Sequence, residues 1–197
     1  MSHKFSILSM LMAGVFFGLA KTAQAQTVVE PRPFEAALSA NCALKGEVPP
    51  ERFEFEVQLE GNETTSKFRL TQIFCDRAAY NTSEIWVLKD EYDEEQVLSF
   101  AVPETMVSYA EGSEQKTVED IAITSYTSTV QLSNSSFDPA TVTISSFHKW
   151  RGVGDAASGG VWEFRKGRFA LKSYEIDASY DGAINAQTII DFERPTP

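Results

Sequence analysis

The sequence predicts a mainly β domain of antiparallel strands, sandwich-like or barrel-like, and three observations carry that expectation. Apolar and polar residues alternate strictly along Phe53-Glu54-Phe55-Glu56-Val57-Gln58-Leu59, the period of a half-buried strand. Short apolar runs of the same kind recur along the chain, punctuated by turn residues and charged stretches. Stretches with helical periodicity of useful length are missing.

In chain order, Pro31 and Pro33 interrupt the segment that precedes the domain, and Phe34 to Ala40 reads as a short helix. Phe68 and Leu70 open a strand after the turn around Gly61-Asn62. Ile85 to Leu88 and Val97 to Val102 read as a pair joined by the charged turn Lys89 to Gln96. Ile121 to Leu132, Thr141 to Phe147, Val161 to Phe164, Phe169 to Ile176 and Thr188 to Phe192 continue the pattern. This gives a single β-rich domain over residues 41–197, after an N-terminal segment 26–40.

The first 25 residues read as a secretory signal peptide. His3 and Lys4 make a basic start, Phe5 to Ala20 is an apolar run, and Ala23-Gln24-Ala25 offers small residues to a signal peptidase. A membrane span needs about 20 apolar residues. Lys21 ends the run too early for that, and no later segment is apolar enough, so no span is expected after cleavage before Gln26. The expected location is periplasmic or secreted.

The leader carries Lys4 and Lys21 and no acids, so the mature chain has 15 basic against 28 acidic residues, a net charge of −13. Nucleic acid and anionic membrane both require neutralising Lys or Arg and are disfavoured as partners. A basic protein or peptide fits the charge, and so does the plainer reading that the acids serve solubility. Cys42 and Cys75 are the two cysteines, and in an oxidising compartment they are expected to pair. Closing a loop of roughly 34 residues stabilises a fold by about 3–4 kcal/mol in the chain-entropy model.

The chain also carries a faint internal repeat. Lys67-Phe68-Arg69-Leu70 matches Arg168-Phe169-Ala170-Leu171, and Ala79-Tyr80-Asn81 matches Ser179-Tyr180-Asp181. A strand ending in glycine precedes each copy, at Gly61 and at Gly167. One reading is a β-hairpin unit used twice, within residues 41–103 and 119–197. The other is chance similarity between β-rich stretches.

Two stretches together resemble a known family. Phe68-Arg69-Leu70 leading to Cys75-Asp76-Arg77-Ala78-Ala79-Tyr80-Asn81 is similar to the first signature of an exported bacterial family catalogued as domain of unknown function 1176. Lys149-Trp150-Arg151-Gly152-Val153-Gly154-Asp155, followed by Val161-Trp162-Glu163-Phe164 and Gly167-Arg168-Phe169-Ala170-Leu171, resembles its second signature. The resemblance covers residues 40–195. Members of that family are often longer at the N-terminus, so it implies a shortened member. Its second signature usually reads Gly-Asp-Cys-Gly with another Cys after the next strand. The matching places here are Ala156 and Ala178, which implies a second disulfide lost as a unit. The family implies a periplasmic or secreted location and no particular activity.

Candidate sites are few. His148 is the one histidine of the mature chain, so a Ser-His-Asp triad would have to use it, yet Gly-x-Ser-x-Gly is absent. A His-rich zinc site is excluded, and the acidic run Asp90 to Glu95 lacks the spacing and central glycine of a calcium loop. No metal or cofactor is expected. The most distinctive segment is Trp150-Arg151-Gly152-Val153-Gly154-Asp155, a tight loop able to present Trp150, Arg151 and Asp155 to a ligand. Its alternative is structural: the glycines make the turn and Asp155 caps it. The expected function is non-catalytic binding, with a cationic protein or peptide as the partner that fits the charge. The competing expectation is a carboxylate-dependent envelope hydrolase with its acids in a cleft.

Overall fold

A computed structural model of the protein describes residues 38–44, 47–59, 61 and 63–193. They lie within one compact unit, Arg32–Pro197. The expected signal peptide and the first part of the expected helix, residues 34–37, fall outside the described residues; Leu38 to Ala40 are helical.

Over the described residues the fold is mainly antiparallel β, in three sheets. The first contains β1 (Glu51–Gln58), β2 (Thr65–Arg77), β3 (Thr82–Lys89) and β4 (Glu95–Val97) in that order, with β7 (Gln131–Ser133) also paired to β3. The second runs in the order β12 (Gln187–Asp191), β11 (Arg168–Asp177), β10 (Ala157–Arg165), β9 (Thr143–Lys149), β8 (Ser136–Asp138). A two-stranded ribbon of β5 (Phe100–Tyr109) and β6 (Val118–Thr129) completes it. Among the described residues no sheet closes into a barrel, and of the two expected architectures the sandwich-like one is consistent with these sheets.

Three strands depart from the sequence reading. Val97 to Val102 is not one strand: β4 ends at Val97, and Leu98 and Phe100 both bury their side chains as the chain leaves the first sheet for the ribbon. Pro103, which argues against a strand interior, lies inside β5 opposite Tyr126, in a ribbon whose strands, among the described residues, pair only with each other. Ile121 to Leu132 breaks at Val130, where β6 hands over to β7 and the first sheet.

Phenylalanines that face each other across two hairpins join the main sheets. Phe55 sits opposite Phe68 in the β1–β2 register, and Phe164 sits opposite Phe169 in the β10–β11 register. The four rings meet: Phe55 and Phe164 lie 5.2 Å apart, Phe68 and Phe164 4.9 Å, and Phe164 and Phe169 5.2 Å, between centroids. Trp86, Leu70, Ile144 and Trp162 extend this core. Aromatic pairs at such separations add about 0.5–1.5 kcal/mol beyond the area they bury. The two sequence-matched stretches thus fold as the same three-strand meander, β1–β2–β3 and β10–β11–β12.

Cys42 and Cys75 are disulfide-bonded, with Cα atoms 4.5 Å apart. The bridge lays Leu38 to Cys42 over the outer face of β2 and β3, where Ile73, Ile85 and Val87 are buried beneath it. The Leu44 amide then donates to the Cys75 carbonyl at 3.1 Å.

One buried carboxylate fastens β3 to the segment entering the second sheet. Glu84 is 1 % exposed and accepts from the Ser135 amide at 2.9 Å, the Ser135 hydroxyl at 2.8 Å and the Thr82 hydroxyl. Trp86 Nε1 donates to the same Ser135 hydroxyl at 2.9 Å. Such a group is tolerable inside a core because its lone pairs are met.

Candidate functional site

The Trp150-to-Asp155 loop connects β9 to β10 and is held by residues from both meanders. From the first meander, Asn81 pairs with Lys149 as a strand would: its Oδ1 accepts from the Lys149 amide and its Nδ2 donates to the Lys149 carbonyl, both at 2.9 Å. The Tyr80 ring rests on Gly152 so closely that a methyl group there would fall 2.5 Å from it. From the second meander, the Tyr180 ring lies under Arg151 at 5.1 Å and beside Trp150 at 6.4 Å. The two matched tyrosines therefore sit against the same loop.

Within the loop, Arg151 and Asp155 face each other. Arg151 Nε donates to Asp155 Oδ1 at 2.6 Å and Nη2 donates to Oδ2. Asp155 is 1 % exposed and also accepts from the Gly182 amide at 2.8 Å. The Arg151 guanidinium, aided by the Gly182 amide, lowers the Asp155 carboxyl from 3.8 to about 2, against the opposing pull of burial. Arg151 is raised by the same pair. Trp150 Nε1 donates to Ser158 at 3.2 Å. All three residues expected to present a ligand are thus brought together, and each has its polar group engaged by the protein itself.

His148 lies on β9 with Nδ1 2.9 Å from the Ser133 hydroxyl. Among the described residues no carboxylate hydrogen-bonds this ring, so a serine–histidine pair is present without the third member of a triad. The acidic turn is a capped hairpin tip. Asp90 Oδ1 accepts from the Tyr92 and Glu94 amides at 2.9 Å, and Asp93 pairs with Lys89 at 2.8 Å. Among the described residues no three His, Cys, Asp or Glu side chains converge as a metal site would need.

Next to the loop lies a pocket of about 190 Å³ on the outer face of the second sheet. The register puts Phe147, Gly159 and Glu175 side by side across β9, β10 and β11, with Ser145, Val161 and Ser173 in the next row of that face. Gly159 and Gly160 form the floor. A methyl on Gly159 would fall 2.7 Å from the Ser146 carbonyl oxygen, and one on Gly160 2.5 Å from the Trp162 ring. Gly159 bears no side chain on this face and leaves the space above it open, whereas a side chain on Gly160 would point to the opposite, core face against the buried Trp162. Phe147, 40 % exposed, and Ile184, 78 % exposed, supply apolar walls. Asp177 at the far end is spent: Oδ1 accepts from the Ser179 amide and hydroxyl, and Oδ2 from the Asn185 amide at 2.7 Å. Glu175 accepts from the Thr188 hydroxyl at 3.2 Å and is otherwise exposed.

Sequence reasoning singled out the loop and missed this pocket. Two adjacent glycines inside a strand pattern, Gly159-Gly160, were the available signal, since glycine in a strand marks a bulge or a close approach of backbone or ligand.

The family described as protein of unknown function (DUF1176) matches residues 21–188. The chain belongs to this family. The match takes in both signature stretches and reaches further toward the N-terminus than residues 40–195. Neither the curated proteins nor the solved structures gave a match. In this member of the DUF1176 family the matched stretch includes the whole of the loop and all of the pocket lining, from Ser145 to Ala186.

Proposed function

We propose that this DUF1176 protein is exported to the periplasm or secreted, and acts there by binding a cationic protein or peptide rather than by catalysis. One observation carries the reading. The outer face of the first meander is covered by the protein's own Leu38–Cys42 segment, whereas along the matching strand β11 the residues Ser173, Glu175 and Asp177 line an open, glycine-floored pocket. A net charge of −13 on the mature chain favours encounter with a basic partner, because complementary fields raise association rates.

The hydrolase reading would need two free carboxylates about 5–10 Å apart in one pocket. Glu175 and Asp177 share the pocket, but both Asp177 oxygens are held by Ser179 and Asn185, which favours binding over acid–base chemistry. The test is a titration of the mature protein with 15-residue peptides of matched length and hydrophobicity that are cationic, neutral or acidic. Saturable binding confined to the cationic set, weakening between 20 and 150 mM salt, supports the proposal. Equal affinity for all three sets, or none for any, overturns it.

A further inference from the structure

We infer that the Gly159 pocket receives one lysine or arginine side chain of the partner, with its aliphatic stem along Phe147 and Ile184 and its charged head at Glu175. This rests on the binding reading above and adds the place and the chemistry of recognition.

Size comes first. Pockets that enclose a whole small-molecule ligand are about 300–1,000 Å³. At about 190 Å³ this one is matched to a single long side chain. Its shape comes from missing atoms: Phe147 and Glu175 flank Gly159 across three strands, so the middle strand is bare between an aromatic ring and a carboxylate. A side chain that is apolar along its length and cationic at its tip satisfies both walls at once, since the stem of Lys or Arg buries well while its head stays at the rim.

The charges around the pocket set the direction of entry. Asp177 is fully hydrogen-bonded, and the Lys149 stem runs along Gly154, 3.6 Å from where a methyl on that glycine would lie. A second cation is therefore disfavoured at the Gly154 end. Glu175 stands in the central row, exposed, and among the described residues the Thr188 hydroxyl is the one group that hydrogen-bonds to its carboxylate. The head goes there.

The test uses small mimics of the two ends of the side chain. Uniformly 15N-labelled mature protein is titrated with n-butylguanidinium, n-butylammonium and 1-butanol, following backbone amides by NMR. Saturable shifts centred on Gly159, Gly160, Val161 and Glu175 are expected for the two cations, with 1-butanol weaker. Glu175→Gln is expected to weaken butylguanidinium by about two- to fivefold, the scale of a partly exposed ion pair. Phe147→Ala is expected to weaken all three probes. Glu119→Gln, on β6 and outside the pocket lining, is the control for general charge. Silence at the pocket amides, or an equal response of Glu175→Gln and wild type to the cation, overturns the inference. The two failures separate cleanly. Cationic peptides that bind while the pocket amides stay silent remove the slot and leave the binding reading standing; cationic peptides that do not bind at all remove the reading itself.

Discussion

Replacing Ala156 and Ala178 by cysteine should create a second disulfide, and the structure supplies the geometry for that claim. Ala157 and Asp177 are the last pair of the β10–β11 ladder, so Ala156 and Ala178 come one step beyond it and both are buried. The Trp150 amide donates to the Ala156 carbonyl at 2.9 Å, which turns the Ala156 backbone toward β9. Toward β11 it is therefore a non-hydrogen-bonded position, the kind in which opposite Cα atoms approach to about 4.5 Å and side chains are closest. That lies inside the about 4.4–6.8 Å a disulfide accepts. The bridge closes a loop of about 23 residues, for which the chain-entropy model gives about 3.4 kcal/mol at 25 °C. In a domain of this size each kcal/mol moves Tm by about 2–4 °C, so a rise of about 7–14 °C is expected. The assay is intact-mass analysis with alkylation, followed by thermal unfolding with and without reductant. Two alkylated thiols in the oxidised double variant, beside an intact Cys42–Cys75 bridge, would refute the reasoning.

Glu84→Gln should lower stability by about 1–3 kcal/mol in urea unfolding, because an amide nitrogen replaces one oxygen of a group surrounded by donors from Ser135 and Thr82. Asp155 has a folded pKa of about 2, below its ordinary 3.8, so the unfolded chain binds more protons between those values. Its contribution is complete above about pH 4 and is lost as pH falls toward 2; Asp155→Asn should flatten the stability profile across that window, measured by denaturant titration at each pH. Gly152→Ala should destabilise the protein by displacing Tyr80, and in a Tyr80→Ala background the same change should cost less, with a coupling of about 1 kcal/mol in a double-mutant cycle.

Much of the fold was legible because strand periodicity is local. Phe53 to Leu59 alternates in the sequence, and the structure sets Phe53, Phe55 and Val57 toward the core along β1. The pairing of Cys42 with Cys75 was legible from the cysteine count together with the expectation of an oxidising compartment. What failed to show were events decided by distant partners. The breaks at Leu98 and Val130 occur where the chain changes sheets, and Pro103 reads as a stop unless one knows that its strand sits in a ribbon paired on one side. The loop at Trp150 to Asp155 was visible as composition, but its contact with Tyr80 and Tyr180 depends on bringing residues from both meanders to one end of the sandwich. The pocket was hidden more deeply, since it consists of a register: Phe147, Gly159 and Glu175 are neighbours only after β9, β10 and β11 are aligned.

The four-phenylalanine joint has a kinetic consequence. Phe68 and Phe164 are 96 positions apart, so neither meander can complete its aromatic core until almost half the chain has been closed into a loop. Each hairpin is local and can form within microseconds, whereas the joint must wait for a long-range encounter that is rewarded only once both faces are ready. Folding should therefore be limited by docking of two preformed halves, on the millisecond-to-second scale of β-rich topologies, with Phe55, Phe68, Phe164 and Phe169 consolidating together and late.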